Sequence, residues 1–310
     1  MHKTKSADKI LKSFRVLSLF SMLFFDIQGI AISEQLSLES TKPNVLVILT
    51  DDQGYTDLGV YGSADLRTPN IDQIAQRGTR LLNFYAQPSC GPSRAALLTG
   101  SYPILVGEPS NKKNPNTILH EQELTIAEML QKVGYATALI GKWHMAGDGE
   151  EPWDFVLPPD PPGRPGGKGP FNESLMPNAQ GFSYFFGTPM HNGFTKDVDL
   201  RRFVVELMRN GEVVESPADL DKLTKVYTHE AVNFIRDNKD RPFFILLSHN
   251  MPHVPLAVSD DFRGKSSRGL YGDAIEEIDW SVGQLVSELY SLNLLQDTLI
   301  VFLSDNGPEV

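Results

Sequence analysis

The chain has 310 residues, of which 41% are hydrophobic and 22% are charged, a composition typical of a globular protein that buries one large core or two modest ones. Its formal net charge of −11 argues against a nucleic-acid groove, so we expect no nucleic-acid partner. An acidic protein that binds an anionic substrate needs a local pocket of positive charge.

Residues 1–33 have the pattern of a targeting segment. A basic run over residues 3–15 precedes the apolar residues 16–25, which are too few to span a bilayer comfortably. We therefore expect a cleaved signal peptide and a secreted, lysosomal or periplasmic protein. An uncleaved signal anchor is the alternative, and contact with a membrane is expected only in that case.

The first predicted strand ends in two carboxylates. Residues 44–50 are continuously apolar, which predicts a strand buried on both faces, and Asp51 and Asp52 follow it directly. Adjacent carboxylates repel each other, so keeping both ionised beside a core requires a cation. A solvated turn is the alternative, and this stretch alone leaves both interpretations open.

The next two predicted elements lead to the single cysteine. Pro69 begins a helix that Gly78 ends, and residues 80–85 predict a strand. Cys90 then opens a short helix that ends at Gly100.

This short helix carries the sequence CGPSRAALLTG. Arg94 lies four positions after Cys90, so the two side chains share one face of the first turn. The free N–H groups and partial positive charge of a helix N-terminus add to the Arg94 charge. This setting fits a tetrahedral oxyanion held against residue 90, whereas a buried structural cysteine is the alternative.

The middle of the chain contains a second strand that ends in polar residues. Thr125 and Glu128 form a capping-box pattern that predicts a helix start. Residues 136–140 predict a buried strand, which is followed by Lys142 and His144. Either these two residues belong to a site, or they are a surface lysine and a capping histidine.

A loop, a hairpin and a helix come next. The Pro- and Gly-rich residues 150–170 predict a long irregular surface loop. Residues 202–215 predict two short strands around Asn210 and Gly211, a type I′ hairpin. The helix that follows has its apolar face marked by Leu220, Leu223, Tyr227, Ala231, Phe234 and Ile235.

Two further apolar runs, residues 243–247 and 298–303, predict strands, with an amphipathic helix over residues 271–289 between them. A strand that is apolar throughout, as residues 298–303 are, normally has both faces covered. The helix that would follow Asn306 is absent from the sequence, so we expect part of this strand's surface to be exposed. The polar residues that follow the two strands are His249, His253, Asp305 and Asn306.

Helices that alternate with apolar strands predict an α/β fold, a mostly parallel sheet with helices on both faces. Ligands bind beyond the carboxyl ends of such strands, so we expect the four polar strand ends to form one site. Its oxygen donors, a hard set suited to Ca²⁺ or Mg²⁺, are Asp51, Asp52, Asp305 and Asn306. A zinc site would need His144, His249 and His253 and is the weaker hypothesis.

The run C-x-P-S-R followed by A-A-L-L-T-G resembles the signature of the type I sulfatases, whose cysteine is oxidised to formylglycine during maturation. The resemblance covers about residues 44–307 and looks most like the arylsulfatase and N-acetylgalactosamine-6-sulfatase group. It implies an alkaline-phosphatase-like catalytic domain over residues 42–310. The implied activity is hydrolysis of aryl or carbohydrate sulfate esters, and the implied maturation partner is a formylglycine-generating enzyme.

The family's motifs also imply a role for each strand-end residue. The implied ligands of Ca²⁺, with Mg²⁺ as the alternative, are Asp51, Asp52, Cys90 as formylglycine, Asp305 and Asn306. Arg94 and Lys142 would bind the sulfuryl oxygens and stabilise their charge. His253 would bind the substrate and protonate the departing alcohol, and His144 would assist the second hydroxyl of the aldehyde hydrate.

The chain departs from the family pattern in places. A further sulfate-binding lysine and a smaller C-terminal subdomain lie, in the family, beyond the point that corresponds to residue 310, so we expect the N-terminal part of a catalytic domain, truncated before that subdomain. Residues 181–193 resemble the family segment that supplies another polar side chain, and either His191 or Asn192 fills that position. The role of His249 stays open.

Two other functions remain. One is a phosphomonoesterase or phosphonate hydrolase of the same wider superfamily, which shares the metal geometry. The other is an inactive truncated fragment that at most binds a sulfated glycan. The P-S-R context disfavours the first, and the intact motifs oppose the second.

Overall fold

The computed structural model describes residues 42–106, 119–145, 173–192 and 205–308, so the predicted targeting segment and the Pro- and Gly-rich loop lie outside the described residues. The strands are β1 (Asn44–Thr50), β2 (Ala136–Gly141), β3 (Tyr184–Gly187), β4 (Leu207–Arg209), β5 (Glu212–Glu215), β6 (Phe243–Ser248) and β7 (Thr298–Ser304). The helices are α1 (Pro69–Arg77), α2 (Cys90–Thr99), α3 (Pro103–Val106), α4 (Ile126–Lys132), α5 (Leu223–Asp237) and α6 (Gly269–Ser291). None of the helices in these ranges combines the length and the apolar composition needed to cross a membrane.

The strands form one seven-stranded sheet in the order β5-β4-β3-β2-β6-β1-β7. The pairs β3-β2, β2-β6, β6-β1 and β1-β7 are parallel. At one edge of the sheet, β4 pairs antiparallel with β3, and β5 pairs antiparallel with β4. The predicted mostly parallel sheet is therefore confirmed. Because parallel strands point the same way, the carboxyl ends of β2, β6, β1 and β7 lie side by side along one edge of the sheet.

Helices cover both faces of the sheet, as predicted. Alternate residues of β1 point to opposite faces, so Leu46 and Ile48 join the core beneath α1, α5 and α6. Val47 and Leu49 join a second core, which contains Ala95 and residues of α3 and α4. Burial on both faces is why β1 reads as a continuous apolar run.

Local sequence signals set several element boundaries. The Glu128 N–H donates to Thr125 Oγ1 at 3.1 Å, and the Thr125 N–H donates to Glu128 Oε2 at 2.8 Å, which completes the predicted capping box. Asn210 and Gly211 have φ angles of 48° and 90°, as a type I′ hairpin requires. Gly100 ends α2 in the left-handed region, with φ of 66°.

The prediction of a strand over residues 80–85 is wrong. This segment has no strand assignment, and no described strand pairs with it. Its apolar side chains are largely exposed, from 57% for Phe84 to 85% for Tyr85. A run of apolar and aromatic residues forms a strand only where a neighbouring backbone completes the hydrogen bonds, and the local pattern does not supply that neighbour.

Part of the surface of the last strand is exposed among the described residues, as expected. β7 pairs with β1 and forms an edge of the described sheet. Leu299 is 55% exposed and Val301 is 36% exposed, because their shared face has no helix packed on it among the described elements. Strand β3, which places His191 and Asn192 near the same edge, was not predicted because it is only four residues long.

Candidate active site

The candidate site lies along the carboxyl ends of four adjacent strands. Hydrogen bonds continue the strand pairing one residue past the strands: the Lys142 N–H donates to Ser248 O at 2.7 Å, and the Asp305 N–H donates to Thr50 O at 3.0 Å. The first side chains beyond each strand are therefore held in register with the sheet. These residues are Asp51, Lys142, His249 and Asp305.

An acidic cluster gathers around the start of α2. One ligand atom from each of Asp51, Asp52, Cys90 and Asp305 lies within 4.8 Å of the others. Asn306 adjoins them, since its Nδ2 donates to Asp52 Oδ1 at 2.5 Å. The structure thus brings together all five residues that the sequence proposed as cation ligands.

Two oxygens of this cluster lack hydrogen-bond donors. Asp51 Oδ1 and Asn306 Oδ1 are buried and accept no hydrogen bond from the described residues. Burying an unsatisfied oxygen costs about 1–3 kcal/mol, and more for a charged group. A cation bound by these oxygens would remove that cost, and a set of carboxylate and amide oxygens suits Ca²⁺ or Mg²⁺. The residues present therefore fit the cation that the sequence predicts.

Two buried cations balance part of the negative charge. Lys142 Nζ lies 2.5 Å from Asp51 Oδ2, and the Arg94 Nη2 and Nε donate to Asp305 Oδ2 at 2.8 and 3.1 Å. Arg94 is 3% exposed and Lys142 is fully buried. Both positive charges therefore stand beside the acidic cluster.

The two paired carboxylates differ in acidity. Burial alone would raise the pKa of Asp51, but the charges of Lys142 and Arg94 outweigh it and hold the pKa well below its usual range. Burial raises the pKa of Asp305 to about 6, although Arg94 acts against it. Asp51 therefore stays ionised, whereas Asp305 exchanges a proton near neutral pH.

The thiol of Cys90 is not activated for nucleophilic attack. Burial raises its pKa to about 12, and the neighbouring carboxylates reinforce the shift against the positive charge of Lys142. Its Sγ lies 4.0 Å from Asp52 Oδ1. An unmodified Cys90 in the metal-free protein is thus a neutral thiol at pH 7.

Three imidazoles line the same edge. His253 Nε2 lies 3.8 Å from Asp52 Oδ2, and the His191 ring stands between His253 and His144, with centroid distances of 5.7 and 5.0 Å. Burial and the charge of Lys142 hold the pKa of His144 well below its usual value, so His144 is neutral. His144 also has a left-handed backbone, with φ of 61°, a conformation that non-glycine residues rarely adopt.

The two residues left open after β3 have different positions. The His191 ring joins the imidazole row, whereas the Asn192 amide is buried in backbone and side-chain contacts. Asn192 Nδ2 donates to Asn250 O at 3.1 Å, and Asn250 Nδ2 donates to Asn192 Oδ1 at 2.6 Å. His191 is therefore the side chain that this segment contributes to the row, and Asn192 ties it to the loop that carries His253.

His249 lies apart from the imidazole row. It is fully buried after β6, with Nε2 lying 3.3 Å from Ser281 Oγ of α6. Burial lowers its pKa to about 4. These contacts indicate a structural contribution, and they do not support the zinc set that included His249.

Sequence reasoning missed Ser248, the last residue of β6. Its hydroxyl accepts a hydrogen bond from Arg94 Nη1 and donates to Lys142 O at 2.7 Å, so it holds both positively charged segments. Gly141 permits this approach, because a Cβ there would lie 1.8 Å from Ser248 O. A serine at a strand end carries no signal of its own; only the pairing of β2 with β6 reveals it.

Comparisons with known proteins identify the family of this chain. A family model described as Sulfatase matches residues 43–310. Human steryl-sulfatase is 33% identical in an alignment 362 residues long, and the alignment covers 94% of this chain and 58% of that protein. Human N-acetylgalactosamine-6-sulfatase is 36% identical over 285 residues, which cover 86% of this chain and 50% of that protein. The solved structure of PsFucS1 sulfatase from Pseudoalteromonas sp. matches with a TM-score of 0.70 and 32% identity, covering 90% of this chain and 59% of that chain.

The chain thus spans 50–59% of the length of these three relatives. The predicted alkaline-phosphatase-like fold is confirmed by the solved sulfatase structure that shares it. With a family model that matches most of its length, this chain belongs to the Sulfatase family.

Proposed function

We propose that the protein hydrolyses sulfate esters of aryl or carbohydrate alcohols at the cluster around Cys90. One observation carries this proposal: Asp51, Asp52, Asp305 and Cys90 place their ligand atoms within 4.8 Å of one another beside two buried cations. A cation site next to fixed positive charges suits a tetrahedral anion that gains charge during reaction.

The reacting group at residue 90 would be formylglycine, made from Cys90 by a formylglycine-generating enzyme. The neutral thiol described above supports this, because a buried thiol with a raised pKa is a poor nucleophile. The sequence context C-x-P-S-R supports it independently. A bound Ca²⁺ or Mg²⁺ would lower the pKa of a hydroxyl at residue 90 and withdraw charge from sulfate oxygens. Asp51, Asp52, Asp305 and Asn306 would hold that cation.

Arg94 and Lys142 would bind the sulfuryl oxygens. Arg94 is fixed by Asp305 and by Lys142 O, to which its Nη1 donates at 2.9 Å, so its guanidinium needs no reorientation during reaction. Fixed donors of this kind stabilise developing charge without the cost of reorganisation. Replacing one such donor typically lowers kcat by about 10²–10³-fold.

Two histidines would move protons. His253 Nε2 lies 3.8 Å from Asp52 Oδ2, at the edge of the cluster, so His253 would bind the substrate and donate a proton to the departing alcohol oxygen. His144 is neutral and therefore able to accept a proton from a hydroxyl at residue 90. The overall change consumes water and an ester and yields an alcohol and sulfate.

A phosphomonoesterase or phosphonate hydrolase is the second candidate, because a hard cation and two positive side chains also suit a phosphoryl group. The formylglycine sequence context and the naming of the relatives at 32–36% identity favour sulfate. The deciding experiment compares initial rates with an aryl sulfate and the matching aryl phosphate, using protein co-expressed with a formylglycine-generating enzyme. Faster turnover of the phosphate would overturn the proposal.

A non-catalytic glycan-binding product is the remaining alternative. It predicts binding of a sulfated glycan without release of sulfate, which ion chromatography of the reaction mixture would detect. Maturation in a secretory or periplasmic route is part of the proposal, since the basic and apolar pattern of residues 1–33 is that of a targeting segment. The sulfate-ester substrate and the maturation enzyme are the partners proposed.

A further inference from the structure

The turn that follows β1 holds Asp52 in a strained backbone conformation. Its φ of 65° lies in the left-handed region, which a non-glycine residue keeps only when its surroundings enforce it. On one side, the Asp52 N–H donates to Asp305 Oδ1 at 3.2 Å. On the other side, the Gly54 N–H donates to Asp57 Oδ2 at 2.8 Å. The carboxylate of Asp57 therefore fixes the far end of the turn that carries Asp52.

Asp57 is itself held rigidly. It is 5% exposed, its Oδ2 accepts a hydrogen bond from the Tyr271 hydroxyl at 2.5 Å, and its Oδ1 accepts one from Arg268 Nη1 at 2.9 Å. The backbone packs closely against it, because a Cβ on Gly54 would lie 2.6 Å from Asp57 Oδ2. A buried carboxylate whose two oxygens are both bonded has little freedom to move.

The donors to Asp57 come from the start of α6, and α6 is anchored along its length. Asp279 accepts hydrogen bonds from the N–H groups of Asn70 and Ile71 at 3.0 and 2.9 Å, which fixes the first turn of α1. Glu276 pairs with Arg67 at 2.6 Å. The helix is thus a rigid support, and Asp57 connects that support to the turn beside the cation cluster.

We propose that Asp57 is a positioning residue of the cation site, which holds the Asp52 carboxylate in place through Gly54 while touching neither cation nor substrate. The inference rests on the proposed function, because it requires the cluster of Asp51, Asp52 and Asp305 to bind Ca²⁺ or Mg²⁺. Removing the Asp57 contact releases the strained turn, so the carboxylate loses its fixed geometry. Changes to residues that orient metal ligands typically weaken metal binding by about 10–100-fold.

The test measures binding of Ca²⁺ and of Mg²⁺ alone by isothermal titration calorimetry, with the full chain and no substrate. Asp57→Asn keeps the shape of the side chain but cannot accept from Gly54, Tyr271 and Arg268 together. The matched control is Asp72→Asn, because Asp72 Oδ1 accepts from the Val60 N–H at 2.8 Å and supports the next turn, away from the cluster. Amide exchange at Gly54 in the metal-free protein provides a second readout.

Asp57→Asn is expected to raise the Kd of the cation about 10–100-fold and to speed exchange at Gly54, whereas Asp72→Asn leaves the Kd within about twofold of wild type. Equal affinity for Asp57→Asn and wild type, or equal weakening by both variants, would overturn the inference. If Asp57→Asn does not fold, Tyr271→Phe provides the test, because it removes one hydrogen bond to Asp57 Oδ2. A rise in Kd smaller than about 10–100-fold supports the positioning role, and an unchanged Kd refutes it. A wild-type protein that binds neither cation would overturn the proposed cation site itself, and this inference with it.

Discussion

Lys142 Nζ lies 2.5 Å from Asp51 Oδ2, and both side chains are fully buried. The two residues follow strands that are not neighbours, since β6 lies between β2 and β1. Their contact therefore crosses the middle of the carboxyl edge and joins its two sides. Because the pair is buried, removing one partner costs far more stability than removing one partner of an exposed ion pair.

Lys142→Met should lower the free energy of unfolding of the metal-free protein by about 3 kcal/mol at pH 7, the lower end for breaking a buried ion pair, because it removes the nearer cation and leaves the buried Asp51 charge with Arg94 alone, 3.5 Å from Asp51 Oδ1. Urea denaturation followed by circular dichroism measures this. Saturating Ca²⁺ should recover part of the loss, since the cation supplies another positive charge. The double variant Lys142→Met with Asp51→Leu is the control: it removes both charges and should be more stable than Lys142→Met. A single variant as stable as wild type would mean that the contact carries no net energy.

Asp51→Asn and Asp305→Asn should each weaken cation binding and lower turnover of an aryl sulfate together, because both carboxylates contribute ligand atoms to one cluster. The control is Asp297→Asn, an exposed carboxylate just before the amino end of β7, which should change neither quantity. Chelation by EDTA should abolish turnover in the wild type. Activity that survives chelation and both substitutions would make the strand-end carboxylates a solvated turn, the alternative that the sequence left open.

The clustering of Asp51, Asp52 and Asp305 could be predicted from the sequence. The prediction requires only that the two strands before these residues are recognised and that they are parallel. An apolar run fixes each strand, and parallel strands bring their carboxyl ends to one edge. The pairing of Arg94 with the cluster was also within reach, since a helix start at Cys90 places it one turn away. These inferences use local pattern and one topological rule.

Other features depend on the order of the strands and on contacts between distant segments. Partial exposure of the last strand was expected, but its position at an edge of the described sheet, where Leu299 and Val301 are exposed, requires the strand order. The contact of Asp57 with Tyr271 joins residues 214 positions apart, and it exists because α6 packs beside the first turn. Neither residue stands in a pattern that marks it before the fold is known.

Residue 90 should be an aldehyde in active protein. The neutral thiol of Cys90 and the single C-x-P-S-R context both point to conversion, and peptide mass analysis of active material measures the modified fraction. Activity should rise in proportion to that fraction across preparations made with different amounts of the maturation enzyme. Cys90→Ala should keep the fold and lose turnover, which separates the chemical role from a structural one. Full activity from protein with unmodified Cys90 throughout would refute the formylglycine mechanism.

His249 should make the metal-free protein lose stability as the pH falls from about 6.5 towards 4. Its folded pKa of about 4 lies below the ordinary value near 6.5, so below pH 6.5 the unfolded chain takes up a proton that the folded chain does not. The loss approaches about 1.4 kcal/mol per pH unit, or about 3 kcal/mol over the window, and it is complete near pH 4.

Denaturant titrations of the metal-free protein at pH 7.5, 6, 5 and 4, buffered with EDTA, would measure this loss. His144 contributes in the same direction, so the informative quantity is the difference between wild type and His249→Gln, whose amide still reaches Ser281 but takes up no proton. Ser281→Ala is the control, because it removes the partner and keeps the imidazole, so its pH dependence should match wild type. Asp51 does not interfere, since its lowered pKa places its own share of the loss below about pH 4. Asp305, whose raised pKa of about 6 acts in the opposite direction, is present in both proteins and cancels in the difference. If His249→Gln and wild type lose stability in parallel between pH 6.5 and 4, the buried imidazole is already protonated in the folded protein and the assignment of its pKa fails.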